Sequence, residues 1–236
     1  MRANLPKHIR RGCNNMHLPD KFRDRIEAGQ LLGERLRCLA SERPVVLGLP
    51  RGGVPVAFEV ARVLPSPLDV LVVRKLGVPL QPELAFGAIG EDDAQVINTQ
   101  LVELLGLSKD TIAEVVRRER AELIRRAELY RGKRIALALS GRTVVIVDDG
   151  LATGATARVA VEVTRSRGAK RTVIAVPVSP RETIAELKPL TDDVISLRVP
   201  AQFRAVGDWY EDFDQTTDDE VMSLLRRSAN TGELGH

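Results

Sequence analysis

Three observations predict a doubly wound, mostly parallel α/β fold. Short, continuously apolar strand patterns alternate with helical patterns along the chain. Breaks rich in glycine and proline fall between them. An acidic pair closes one of the strands, at the sheet edge where open α/β proteins bind ligands.

The elements follow in order. Residues 1–19 lack periodicity and read as a flexible tail, with Met16 as a second candidate start. A first helix is expected over Lys21–Leu39, where Ile26, Leu31, Leu32, Leu36 and Leu39 fall near helical spacing. Val45–Leu49 reads as a strand, broken by Pro50-Arg51-Gly52-Gly53. Val54–Leu64 reads as a helix with Pro55 in its first turn, where proline is tolerated. A second strand is expected over Leu68–Val73, then a loop over residues 75–83 that contains Gly77, Pro79 and Pro82. Leu84–Gly90 and Gln95–Asn98 read as a hairpin joined at Glu91-Asp92-Asp93. Ser108 caps a long helix reaching Arg131, with Ile112, Val115, Val116, Leu123 and Ala127 on its apolar side. Thr143–Val147 is the third core strand. A helix over Ala155–Arg167, a strand over Thr172–Val178, a helix over Pro180–Leu187 and a strand over Val194–Val199 complete a core assigned to residues 20–199. Residues 200–236 form a C-terminal extension.

Composition narrows the function classes. With 44% hydrophobic and 28% charged residues, the 236-residue chain is an ordinary globular one. No apolar run is long enough to span a bilayer, and no apolar segment follows the basic start as in a secretory signal. Cys13 and Cys38 read as thiols in a reducing compartment, which places the protein in the cytoplasm. A net charge of +3 is too small to argue for a nucleic-acid partner by itself, and 3% aromatics leave little for the stacking platforms that bind single strands, so such a partner is not expected. Between Arg117 and Arg131, arginines alternate with glutamates as on a solvated helix face. His8, His17 and His236 all lie near a terminus, which disfavours a histidine-based triad or a multi-histidine zinc site.

The segment from Val144 to Thr156 carries the chemistry. A buried strand ends in Asp148 and Asp149, whose carboxylates can accept hydrogen bonds from sugar hydroxyls. The small-residue loop Ala152-Thr153-Gly154-Ala155-Thr156 then opens a helix, whose N-terminal N–H groups and dipole suit an anion. Acceptors for hydroxyls beside a cradle for phosphate match a sugar phosphate. Gly-x-Gly-x-x-Gly after the first strand and Gly-x₄-Gly-Lys-Ser/Thr are both absent, which argues against dinucleotide and P-loop sites. A phosphorylation receiver would carry its acidic pair after the first strand.

This segment resembles the phosphoribosyl pyrophosphate signature of the type I phosphoribosyltransferases, and departs from it at Gly150, where the family carries an aliphatic residue. Pro50-Arg51-Gly52-Gly53 resembles the family's pyrophosphate loop, and Lys75, beside Arg74, resembles its strand-end lysine. Arg-Gly-Gly-Val54, Val-Val-Arg-Lys-Leu-Gly77, Pro-Glu-Leu-Ala-Phe-Gly-Ala-Ile-Gly90 and Phe203-Arg-Ala-Val-Gly-Asp-Trp-Tyr210 are similar to a bacterial group of stand-alone members with no assigned acceptor. That closer likeness runs from about Phe22 to Val221.

The resemblance implies roles. Asp148 and Asp149 would hold the ribose hydroxyls and touch Mg²⁺ through water. Ala152, Thr153, Gly154, Ala155 and Thr156 would wrap the 5′-phosphate. Arg51, Gly52, Gly53 and Lys75 would meet pyrophosphate, with a cis peptide at or near Pro50–Arg51 and a mobile flap over Leu76–Glu83. The family builds a small hood from its terminal segments, here the first helix and Pro200–Asp214. Phe203, Trp209 and Tyr210 would either stack on the acceptor or fill the hood's own core. The implied reaction is Mg²⁺-dependent transfer of phosphoribose to a nitrogenous acceptor, with pyrophosphate released. The rival is a regulator that binds the donor without turning it over. A homodimer is a candidate assembly.

Overall fold

The computed structural model describes residues 18–232 apart from Leu80 and Lys133. The readings placed on His8, Cys13, Met16, His17 and His236 lie outside that span. Cys38 is exposed on a 3₁₀ segment that follows the first helix.

Five parallel strands form the central sheet: β1 (Val45–Gly48), β2 (Leu68–Val70), β6 (Thr143–Val147), β7 (Arg171–Val178) and β8 (Asp193–Arg198). Their order is β2-β1-β6-β7-β8. Alternate side chains point to opposite faces of a strand, and here both faces are covered. Val46, Val145, Val147, Val173 and Ala175 pack with α1 (Arg25–Leu36) and α2 (Gly53–Val63). Val45, Leu47, Val144, Ile146, Ile174 and Val176 pack with α5 (Ala155–Ser166) and with Leu187 of α6 (Arg181–Leu187). Burial on two sides is why these strands read as unbroken apolar runs.

Burial follows the expected first helix only in part. Leu32, Leu36 and Leu39 are buried, whereas Ile26 is 49% exposed. The helix itself is shorter than expected and is capped by the Asp24 side chain, which accepts the Glu27 N–H.

A second sheet stands beside the core, with order β3-β4-β5. It comprises β3 (Val73–Val78), β4 (Gln81–Gly90) and β5 (Gln95–Ile97), all antiparallel. The β4–β5 hairpin is the expected one. Two expectations are corrected. The strand expected over Leu68–Val73 divides: β2 ends at Val70, and Val73 already belongs to the other sheet. Residues 75–83 are not a loop, because β3 and β4 pair across them, with register shifts on both sides of Gly77. Bulges of this kind accommodate a glycine inside a strand.

Two helices were not anticipated. The first is α3 (Thr99–Leu104), capped by the Asn98 side chain. The second is α7 (Asp218–Gly232). Thr217 and Glu220 form a reciprocal capping box ahead of it, and Val221 and Leu225 bury its inner face in the α1/α2 core cluster. The long helix α4 (Lys109–Arg131) begins on its expected Ser108 cap.

The ion pair Arg125–Glu122 follows the solvated-face reading of α4. Arg131 does not. Its side chain is 9% exposed and bonds to Asp69, Glu91 and the Val70 carbonyl. This buried knot ties α4 to the point where the chain leaves the parallel sheet. Glu91 also accepts the Val72 N–H, at 2.9 Å.

Candidate functional site

Strand order fixes where a site can form. From β1 the chain crosses to β2 on one side, whereas β6 continues the sheet on the other. The loops after β1 and β6 therefore diverge around a crevice at their carboxyl ends. The first is Leu49–Gly53. The second is Asp148–Gly154. The Leu49 N–H donates to the Val147 carbonyl at 2.9 Å, which locks the two loops together.

Glycine is required at this junction. A Cβ on Gly52 would stand 2.0 Å from Asp149 Oδ2, and one on Gly53 would stand 2.7 Å from the Val147 carbonyl oxygen. The Pro50–Arg51 peptide is cis, at the position the resemblance singled out. Gly150 also has a packing reason. A Cβ there would meet Val206 Cγ1 at 2.5 Å, so Val206 of the C-terminal segment takes up the space of the family's aliphatic side chain.

The next loop enters α5 through Gly154, which adopts φ +70° at the helix N-cap. That left-handed geometry favours glycine. Thr183 donates to the Ala152 carbonyl at 2.5 Å and anchors the loop from α6. Ala152 and Thr153 are exposed, and the first turn of the 12-residue helix opens behind them. Its end carries unpaired N–H groups and positive dipole charge, the chemistry of an anion seat.

A cavity of about 330 Å³ lies at this edge. Leu49, Pro50, Asp148 and Thr156 line one side. Val73, Arg74, Lys75 and Gly77 of β3, with Arg118, Glu119 and Arg126 of α4, line the other. Arg74 and Lys75 thus reach the expected cavity, but from within the antiparallel sheet rather than from the end of β2. Arg118 and Arg126 are an unexpected contribution from the helix read as solvated. Four cationic side chains face two carboxylates there, so the cavity favours a polyanion. Arg74 holds Glu119 at 2.7 Å. Arg51 is not among the lining residues. Its charge acts on Tyr130 of α4, where burial nonetheless pushes the hydroxyl up to about 12.

The acidic pair is electrostatically tense. Burial pushes the Asp148 carboxyl well above the usual carboxylate range, and the neighbouring Asp149 charge adds to this. Burial likewise raises Asp149, against the opposing pull of Arg25. Arg25 has no local sequence signal. It lies 124 residues from Asp149, yet its Nε donates to Asp149 Oδ2 at 2.9 Å.

The hood joins residues 22–25 to 206–214. The Phe22 N–H donates to the Trp209 carbonyl at 2.9 Å, and the Glu211 N–H to the Phe22 carbonyl at 2.8 Å. Tyr210 is buried, its ring 5.6 Å from Phe22 and 5.0 Å from Phe213, and its hydroxyl donates to the Asp149 carbonyl at 2.6 Å. Trp209 packs against the same cluster, whereas Phe203 is half-buried outside it.

Among the described residues no cluster of three or more His, Cys, Asp or Glu could hold a metal ion alone. Of the adjacent carboxylates, Asp148 lines the cavity and Asp149 is held by Arg25. No helix among the described residues is long and apolar enough to cross a membrane.

The acidic pair and the start of α5 stand at the switch point of a parallel sheet, the edge where open α/β proteins bind ligands. Residues 24–207 match the family described as phosphoribosyl transferase domain, and the chain belongs to that family. Two Mycobacterium tuberculosis proteins, each named "Putative phosphoribosyl transferase" (MT0597 in strain CDC 1551 / Oshkosh, Rv0571c in strain ATCC 25618 / H37Rv), are 54% identical over 207 residues. That match covers 88% of this chain and 47% of each relative, so the chain spans about half their length. The crystal structure of TT1426 from Thermus thermophilus is similar throughout, with 46% identity and a TM-score of 0.76. It covers 88% of this chain and 98% of TT1426. The family implied by the signature is thereby borne out.

Proposed function

We propose that the protein transfers a phosphoribosyl group from phosphoribosyl pyrophosphate to a nitrogenous acceptor and releases pyrophosphate. One observation carries this reading. Asp148 of the acidic pair, Thr156 at the start of α5, Pro50 of the cis-peptide loop and Lys75 line one cavity with Arg74, Arg118 and Arg126, which favours a polyanion; Asp149, Gly52 and Gly53 stand behind that lining.

In this reading Asp148 and Asp149 accept hydrogen bonds from the ribose 2′- and 3′-hydroxyls. Thr153, Thr156 and the N–H groups of residues 152–156 hold the 5′-phosphate. Lys75 and the backbone of Gly52 and Gly53 face the pyrophosphate, with Arg51 as a further cation beside that loop. Arg118 and Arg126 add positive charge to the wall opposite. The bond from ribose C1 to the pyrophosphate oxygen breaks with its electron pair leaving on oxygen. The acceptor nitrogen forms the new bond from the opposite face and gives up its proton. No covalent intermediate is required. The protein's contribution is positioning and stabilisation of the leaving charge.

Mg²⁺, held through water by Asp148 and Asp149, would neutralise pyrophosphate oxygens when bound. The two cysteines, read as thiols, support a reducing, cytoplasmic setting. The test is to mix the protein with phosphoribosyl pyrophosphate, Mg²⁺ and a panel of nitrogenous bases and to measure released pyrophosphate. Release with at least one base is expected. Tight donor binding with no release for any base would favour the regulator instead.

A further inference from the structure

A polar constellation built on Arg25 links the acidic pair to the hood. Its Nε and Nη2 each stand 2.9 Å from Asp149 Oδ2. Its Nη1 donates to the Asp214 carbonyl at 2.7 Å. Its guanidinium lies 3.9 Å from the centre of the Phe213 ring. One planar group therefore touches the acidic pair and the hood at once. Both partners are shielded, with side chains 12% and 15% exposed.

We propose that Arg25 is a positioning residue that couples the hood to the carboxylate of Asp149. The inference rests on the reading of Asp149 as a ribose-binding group. Oδ2 is enclosed between Arg25 and the space that Gly52 leaves open, so Oδ1 is the oxygen left to meet a sugar hydroxyl. A guanidinium has its donors in a rigid plane. When a ligand draws Asp149, the plane tilts, and the carbonyl of Asp214 and the ring of Phe213 follow. The paired hood segments then transmit the shift, because Phe22 is bonded to both Trp209 and Glu211. Donor binding thereby sets the posture of the hood segment 206–214.

Trp209 is the sole tryptophan of the sequence, and it reports the hood directly. The test titrates phosphoribosyl pyrophosphate with Mg²⁺ into the full chain, reading heat and Trp209 emission together, for the unaltered protein, Arg25→Gln and Arg25→Lys. The unaltered protein should bind with a change in emission. Arg25→Gln should bind about tenfold more weakly, the loss of one shielded charge-assisted contact, and show no emission change at saturation. Arg25→Lys keeps the charge without the fork, so its affinity should stay within about threefold while the emission change is lost.

A simple structural ion pair would lower the melting temperature but leave the emission response intact at saturation. That result, unchanged affinity in Arg25→Gln, or binding by the unaltered chain without an emission change, overturns the coupling alone. If Arg25→Gln does not fold, a full response in Arg25→Lys overturns it equally. Failure of the unaltered chain to bind overturns the ribose-phosphate reading, and the coupling with it.

Discussion

The donor crevice and the hood are built on different principles. The loop wall of the crevice is made from chain that is close in sequence to its own strand, Leu49–Gly53 after β1 and Asp148–Thr156 after β6, while β3 and α4 supply the wall opposite. Its key atoms are backbone N–H groups, two carboxylates and glycines whose missing Cβ leaves room for them. The hood is made from opposite ends of the chain, through aromatic packing and one long arginine. Local geometry dictates the loop wall of the first. Only tertiary structure assembles the second. The comparison therefore predicts that crevice variants weaken ligand binding, whereas hood variants that leave the Arg25–Asp149 contact intact change stability or response.

The largest effect is expected at Gly52. An added methyl would collide with Asp149 Oδ2, so Gly52→Ala must displace that carboxylate. Calorimetry should show donor affinity falling by about 100-fold or more, the usual cost of a misplacement near 1 Å.

Asp148→Asn should separate binding from stability. Burial raises the Asp148 carboxyl, so folding favours its protonated form. Its contribution is fully present below the ordinary carboxylate value and is lost as pH rises through the raised one. Asparagine cannot ionise, yet it keeps the oxygen that accepts the Asp149 N–H at 2.9 Å. The variant should gain roughly 0.5–2 kcal/mol at pH 7. Thermal melts should show that gain vanishing as pH falls below the ordinary carboxylate range. Donor binding should drop about tenfold or more through the lost charge-assisted hydrogen bonds.

Gly154→Ala tests the phosphate loop. The residue has φ +70°, and a Cβ would press on Thr183 Cγ2 at 2.8 Å. Denaturant melts should show a loss of about 1–3 kcal/mol, with weakened donor binding alongside it. The smallest effect belongs to the hood. Tyr210→Phe removes the hydrogen bond to the Asp149 carbonyl and keeps the ring packing. It should cost about 0.5–1.5 kcal/mol of stability with donor affinity nearly unchanged. A tenfold binding loss in this variant would erase the distinction between the two regions.

The same distinction explains what could be read from the chain. Core strands buried on two sides announce themselves as apolar runs, and the acidic pair with its small-residue loop is contiguous. The run Leu68–Val73 misled because Leu71 and Val72 stay fully buried while the chain changes sheets. Continuous burial does not mark such a crossing. Gly77, Pro79 and Pro82 signal a break, yet bulged pairing on either side of Gly77 absorbs the irregularity. The capping box Thr217–Glu220 is a local signal for α7 that the aromatic-rich stretch before it overshadowed. Arg25 and the inward arginines of α4 have no such signal. Charge pattern alone cannot tell an arginine that salts a helix surface from one that faces a cavity.

The central claim is that Asp149 belongs to a ribose-phosphate site. Titration of phosphoribosyl pyrophosphate with Mg²⁺ into the unaltered protein and into Asp149→Asn tests it most directly. Asparagine preserves shape and removes the charge that Arg25 and a sugar hydroxyl share. Saturable binding by the unaltered chain, weakened about tenfold or more in the variant, is the expected result. Equal affinity in the two proteins, or no binding by either, would contradict the account.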